Sequence, residues 1–158
     1  MKPSVYLETT VVSYLTARPS SDLVIAAQQQ ITNEWWGDRG LYDLYISDLV
    51  IVEASSGDPI AARARLDVLE GIDGLAISEQ SISLAEMLVN ELAIPPAARR
   101  DAIHVAVAAA NGIDYLLTWN CRHLANLHQR ARIERVCREH GFEPPLIGTP
   151  YELQEEPS

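Results

Sequence analysis

The stretch AIHVAVAAANGI, between Asp101 and Asp114, holds no formal charge, and YLLTWN follows Asp114 directly. Its pattern predicts a helix from Arg99 to Ala110, stopped by Asn111-Gly112, and then a strand from Asp114 to Thr118. A helix and a strand this apolar need protein around them, because neither leaves a broad polar face for water. A chain built on such a pair is confined to folds whose sheet lies in the interior. The ends of the pair then matter. Asp101 opens the helix and Asn120 follows the strand, and polar groups at the border of an apolar layer either cap the elements or bind something.

The rest of the chain repeats this alternation. Ser4 to Leu7 reads as a first strand, with Thr9-Thr10 as caps for a short helix from Val11 to Leu15. Leu23 to Trp36 has helical periodicity and stops near Gly37. Leu44 to Ser47 is a second strand, and Ser47 or Asp48 caps a helix from Leu49 to Ser55 that Gly57 closes. Then come a helix from Pro59 to about Glu70, a strand from Leu75 to Ile77, and a helix after Ser78-Glu79 that Pro95-Pro96 ends. A basic helix from Leu127 to Glu139 stops before Gly141, and Leu146-Ile147 forms an edge strand. Short strands alternating with helices imply an α/β fold, a three-layer sandwich around a short, mainly parallel central sheet. Residues 1–151 make one domain, and residues 152–158 an acidic, flexible tail.

Composition narrows the function classes. With 47% hydrophobic and 22% charged residues the chain has ordinary globular composition. No apolar run approaches the roughly 18 residues of a membrane span, and Glu8 arrives too early for a secretory signal. Cys121 and Cys137 lack CxxC partners, which argues against a zinc knuckle and a disulfide framework. The expectation is a cytoplasmic protein with no membrane partner. Lys2 is the only lysine, and neither GxSxG nor GxGxxG occurs, so Walker-type, Schiff-base and serine-hydrolase chemistry lack their residues. His123 and His128 are off the i, i+4 spacing of a helical zinc pair.

The net charge of −10 argues against nucleic acid, whose phosphates are gripped by Lys and Arg. Its distribution argues the other way. Residues 99–138 carry seven arginines against three acids, a local +4 on a body of −14. The chain has one basic region on an acidic frame.

In an α/β sheet, ligands bind outside the carboxyl ends of the strands. Glu8 closes the first strand, Glu53 lies in the helix after the second, Asp101 in the first turn of the helix before the Asp114–Thr118 strand, and Asn120 just past that strand. Carboxylates gathered at one edge repel one another unless a cation neutralises them. Mg²⁺ or Mn²⁺ selects such oxygen donors and can activate water against a phosphodiester. Each residue also has a plainer reading: Asp101 complements the helix dipole, Glu53 is a solvated helix residue and Asn120 a turn residue. Glu8 has no evident turn chemistry to perform.

These residues, in order, resemble a known family. VYLETTVVSYL, ISDLVIVEAS and RRDAIHVAVAAANGIDYLLTWNCRHL look like the successive motifs of PIN-domain ribonucleases, in particular VapC-like toxins of toxin–antitoxin modules, over nearly the whole chain to about Leu153. The resemblance implies a PIN-like sandwich with an acidic pocket that binds Mg²⁺ or Mn²⁺ and cuts RNA, a cognate antitoxin as partner, and a homodimer. Carried over by position, Glu8 stands where the family usually has Asp, Glu53 matches the second acid, Asp101 the third, and Asn120 stands where a fourth acid is common. Glu8 is one methylene longer than the usual Asp, and Asn120 keeps an oxygen but loses a charge. Three formal charges support one firmly bound ion better than two.

The resulting assignment makes Glu8, Glu53 and Asp101 the metal ligands, with Asn120 orienting a water or the scissile phosphate. Thr10 and Thr118 supply hydroxyl contacts, and Arg99, Arg100 and Arg122 grip phosphate. His104, three residues after Asp101, reads as a core histidine with a satisfied hydrogen bond. The arginines of QRARIERVCRE either bind RNA or pair with Glu134 and Glu139. Trp35, Trp36, Leu41 and Tyr42 read as core or as a partner-binding surface. Two other functions stay open at this point: a metal phosphoesterase of small substrates, and a catalytically degenerate PIN-like binding module.

Overall fold

A computed structural model describes residues 1–154. Five strands, all parallel, form one sheet in the order β3-β2-β1-β4-β5. They are β1 (Ser4–Leu7), β2 (Asp43–Ser47), β3 (Asp73–Leu75), β4 (Tyr115–Leu117) and β5 (Leu146–Gly148). The connecting helices are α1 (Thr9–Thr16), α2 (Leu23–Gly37), α3 (Asp48–Ala54), α4 (Pro59–Leu69), α5 (Glu79–Asn90), α6 (Arg99–Ala110), α7 (Leu127–Glu139) and α8 (Pro150–Leu153). They pack as two sets: α5 with α6 and α7, and α1 with α2, α3 and α4, α8 resting on α2. The sheet lies between them, which is the expected three-layer α/β sandwich. Among the described residues no helix is long and apolar enough to cross a membrane.

The charge-free stretch occupies the place its composition demands. Ala102 and the run from His104 to Ala109 are buried, as are Leu116 and Leu117. Alanines along α6 let α5 approach closely, and Leu84, Leu88 and Val89 fill the seam from the other side. Asp114, at the far end of this stretch, is a structural staple. Its carboxylate accepts from the Ser4 backbone N–H at 2.8 Å and from the Ser4 hydroxyl at 3.1 Å, while its own N–H donates to that hydroxyl at 2.9 Å. This fixes β1 against β4 in the register Leu7 to Leu117.

Several boundaries differ from the sequence reading. Helix α5 ends at Asn90, well before Pro95-Pro96, because the chain turns through a left-handed Leu92 (φ 61) whose neighbours Ala93 and Ile94 donate back to the Leu88 carbonyl. Strand β3 forms at Asp73–Leu75 and not at Leu75–Ile77, set by its pairing with β2. Thr9 and Thr10 lie inside α1, and the cap is Glu8, whose carboxylate accepts from the Thr10 N–H. The α8 turn was not foreseen. A reciprocal capping box of Thr149 and Glu152 builds it, and Glu152 also pairs with Arg130 at 2.9 Å. Glu152 and Leu153 therefore belong to an ordered element, while residues 155–158 of the expected tail lie outside the described residues. Trp35 and Tyr42 are core, with ring centroids 5.9 Å apart, while Leu41 is half exposed.

The α5–α6 seam carries much of the core, so truncation there is expensive. Leu88→Ala should cost about 2–5 kcal/mol in urea denaturation, the range for a fully buried leucine, whereas Asp114→Ala, at an exposed staple, should cost about 1 kcal/mol.

Candidate metal centre

The strand order makes the location of a site a matter of topology. From the central β1 the chain winds outward to β2 and β3, then returns to add β4 and β5 on the other side. The crevice beyond the carboxyl ends of β1 and β4 lies at that switch point. Leu7 and Leu117 are the last paired residues there, and the next side chains on the two strands are Glu8 and Thr118.

Glu8 is buried (4% exposed) and bridges the crevice. Its Oε1 accepts from the Thr118 hydroxyl at 2.6 Å and the Thr10 hydroxyl at 2.5 Å, and its Oε2 accepts from the Thr10 N–H at 3.1 Å. Thr10 in turn accepts from the Trp119 N–H at 2.8 Å, and the Asn120 N–H donates to the Thr118 hydroxyl at 2.9 Å. Trp119 is anchored by its indole N–H to the Thr32 hydroxyl at 2.7 Å and by stacking on Tyr14. A carboxylate buried to this degree is tolerable only with such donors around it.

Glu53, from the last turn of α3, reaches the same crevice. Its Oε1 accepts from the Thr9 hydroxyl at 2.8 Å and contacts the His104 Nε2 at 2.6 Å. Ligand atoms of Glu8, Glu53 and His104 all lie within 4.8 Å of one another. His104 is fully buried, and its Nδ1 contacts the Tyr6 hydroxyl at 2.6 Å, which contacts the Ser47 hydroxyl at 2.7 Å. Asp101 stands outside that tight triplet. Its Oδ2 accepts from the Asn120 side-chain amide at 3.0 Å, and Asn120 Oδ1 accepts from the His123 N–H at 3.0 Å.

The charges conflict, and the conflict is visible in the carboxyls. Burial pushes Asp101 up, and the negative charge of Glu8 adds to it, against the lesser pull of His104, the Asn120 amide and His123. Burial also raises Glu53, but the hydrogen bond and charge of His104, the Thr9 hydroxyl and the Arg100 charge outweigh it, leaving the group below its ordinary value. Among the described residues Glu53 Oε2 and Asp101 Oδ1 accept no hydrogen bond, and Glu8 Oε2 accepts one. These donors are hard oxygens with unused lone pairs, and one acid is strained by another's charge. That set fits a hard divalent cation.

Glu8, Glu53, Thr10 and Thr118 meet at the crevice, and Asp101 and Asn120 form a hydrogen-bonded pair beside it. Arg99, Arg100 and Arg122 are exposed and make no ion pair among the described residues. Arg100 is close enough to Glu53 to act on its charge. In α7, Arg130, Arg135 and Arg138 pair with Glu152, Glu139, Glu134 and Glu143, so those charges are largely spent internally. The sequence reading treats Thr9 and Ser47 as helix caps, gives Tyr6 no role of its own, and favours a core place for His104. The core reading of His104 holds, since it is buried and bonded, yet its partner is a crevice carboxylate. The signals are present: Tyr6 lies two residues before Glu8 and so on the same side of the extended chain, and His104 shares a helical face with Asp101.

No protein-family model matches the sequence, and no curated protein matches it. Among solved structures, a chain in the crystal structure of VapBC2 from Rickettsia felis bound to a DNA fragment from their promoter is similar. The TM-score is 0.56 at 15% identity, covering 92% of this chain and 98% of that one. At that identity, the likeness shows a shared fold along almost the full length of both chains.

The opposite shifts of the two acids give opposite pH signatures without metal. Asp101 has a raised value in the folded protein, so the native state loses stability as pH rises through the window above its unfolded value, and the penalty persists at neutral pH. For Glu53 the folded value is lowered, and its contribution is present at neutral pH and lost as pH falls through that value. In chelator-containing buffer at neutral pH, Asp101→Asn should raise the melting temperature and Glu53→Gln should lower it. Both differences should shrink in acid, as thermal denaturation across pH will read.

Proposed function

We propose that this protein is a metal-dependent endoribonuclease that hydrolyses RNA phosphodiester bonds, acting as the toxin of a toxin–antitoxin pair. The observation that carries this reading is the convergence of Glu8 and Glu53, from separate elements, at the sheet's switch point, with Asp101 electrostatically coupled to Glu8. In support stand the resemblance of the three sequence motifs to VapC-like proteins and the fold shared with a chain of the VapBC2 structure.

In this reading Glu8, Glu53 and Asp101 hold Mg²⁺ or Mn²⁺ directly or through water. Such an ion supplies Lewis-acid polarisation of a phosphoryl oxygen and a more acidic bound water. The chain's own part is to fix the donors. Thr10 and Thr118 hold Glu8, and Asn120, clamped by Asp101 and the His123 N–H, orients a water or the scissile phosphate. Arg99, Arg100 and Arg122, uncommitted to internal ion pairs, give RNA phosphates cationic contacts around the acidic crevice. Exposed Leu23 and Val24 on α2 and Ile60 on α4 offer apolar surface to an antitoxin or a second copy of the chain.

Removing an acid should silence the reaction while preserving the fold. Asp101→Asn and Glu8→Gln should each lower Mn²⁺-dependent cleavage of RNA by about 100-fold or more, comparable to loss of a transition-state contact, and chelator should abolish cleavage by the unaltered protein. Phosphatase activity on small esters without RNA cleavage would favour the phosphoesterase instead. Neither activity, with no rise in melting temperature on adding Mn²⁺, would leave a binding module. Arg100→Ala should weaken RNA binding across sequences and reduce the salt dependence of binding by about one phosphate contact.

A further inference from the structure

The crevice accounts for one end of a buried polar chain. Ser47, Tyr6 and His104 are at most 1% exposed, yet they are joined by hydroxyl and ring contacts of 2.7 and 2.6 Å, and the chain ends on Glu53 at 2.6 Å. Three polar side chains in the middle of an apolar layer cost stability unless each finds a partner, and apolar residues of similar size would fill the space at less risk. We propose that Ser47, Tyr6 and His104 are positioning residues for the metal centre, gripping Glu53 by its Oε1 so that Oε2 stays available to the cation. This rests on the metal-site reading above and extends it to residues that touch neither ion nor RNA.

Two features of the structure carry the assignment. Each element that bears a proposed ligand also contributes to the chain: β1 leads to Glu8 and holds Tyr6, α3 holds Glu53 with Ser47 at its N-terminal boundary, and α6 holds both Asp101 and His104. The network therefore ties together the three segments whose spacing the ion must match. The contacts also run in one unbroken line, from the Ser47 hydroxyl to the Tyr6 hydroxyl, from there to His104 Nδ1, and from His104 Nε2 to Glu53 Oε1. With both ring nitrogens engaged, His104 serves Glu53 and is not itself a ligand. Neighbours that orient metal ligands typically contribute about 10–100-fold in metal affinity.

The test measures Mn²⁺ binding to the substrate-free full chain by the EPR signal of free Mn²⁺, in the unaltered protein and in Tyr6→Phe, His104→Ala and His104→Gln. His104→Ala should weaken binding about 10–100-fold, and Tyr6→Phe should weaken it by at least about 3-fold although every proposed ligand remains. His104→Gln, whose side-chain amide can still donate to Glu53, should recover most of the affinity. Pulsed EPR of the bound ion should show no coupling to an imidazole nitrogen. Unchanged affinity in folded Tyr6→Phe and His104→Ala overturns the positioning role while leaving the metal site intact, and so does a directly coupled imidazole nitrogen. Absence of Mn²⁺ binding by the unaltered protein overturns the proposed function and this inference together. Should His104→Ala fail to fold, Tyr6→Phe decides the matter alone.

Discussion

The structure depends on one buried carboxylate being made tolerable. Glu8 sits at the point where the sheet reverses its winding, with 4% of its surface exposed, and it is held by the Thr10 N–H and the hydroxyls of Thr10 and Thr118. Those bonds join β1, α1 and the segment after β4, so the residue that would otherwise destabilise the sheet's edge also defines it. The tripeptide Glu8-Thr9-Thr10 is used completely. Glu8 accepts, Thr9 donates to Glu53, and Thr10 both donates to Glu8 and accepts from Trp119.

Asp101 and Glu53 answer to different neighbours. Asp101 is raised by burial and then by Glu8, a cost that a fold selected for stability alone would remove with a single amide. Glu53 is kept ionised by His104, against its own burial. One acid is relieved by its neighbours and the other is raised by burial and by the Glu8 charge. Sites that store such conflict within an otherwise consistent fold are commonly functional. The arginines of this region divide as well: Arg130, Arg135 and Arg138 of α7 pair with glutamates, while Arg99, Arg100 and Arg122 are exposed and make no ion pair among the described residues.

Much of this was legible in the sequence, and the exceptions have physical causes. Helices α6 and α7 have the bounds read from their apolar and basic patterns, because each begins and ends on strong local signals: Arg99 after Pro95-Pro96 and Asn111-Gly112 for one, Asn126 and Gly141 for the other. The end of α5 was misplaced because a left-handed Leu92, held by Ala93 and Ile94, is a tertiary solution that no turn residue announces. The placement of β3 was likewise decided by its partner strand. At the site, chain order allows Glu8, Glu53, Asp101 and Asn120 to meet at one edge of the sheet but leaves plainer readings open for Glu53, Asp101 and Asn120, and their roles come from the family resemblance. It credited Glu8 with no local role, whereas the residue caps α1. The bonds among Tyr6, Ser47, His104 and Glu53 span up to 98 positions, and separations of that kind leave no local pattern to read.

The central claim is that these carboxylates share a cation, and crystals grown with Mn²⁺ and measured at a wavelength where manganese scatters anomalously test it most directly. The account predicts one dominant anomalous peak in the crevice beyond β1 and β4, coordinated by oxygens of Glu8, Glu53 and Asp101 either directly or through water. A peak elsewhere on the molecule, or an ordered crevice with no peak at millimolar Mn²⁺, would contradict it.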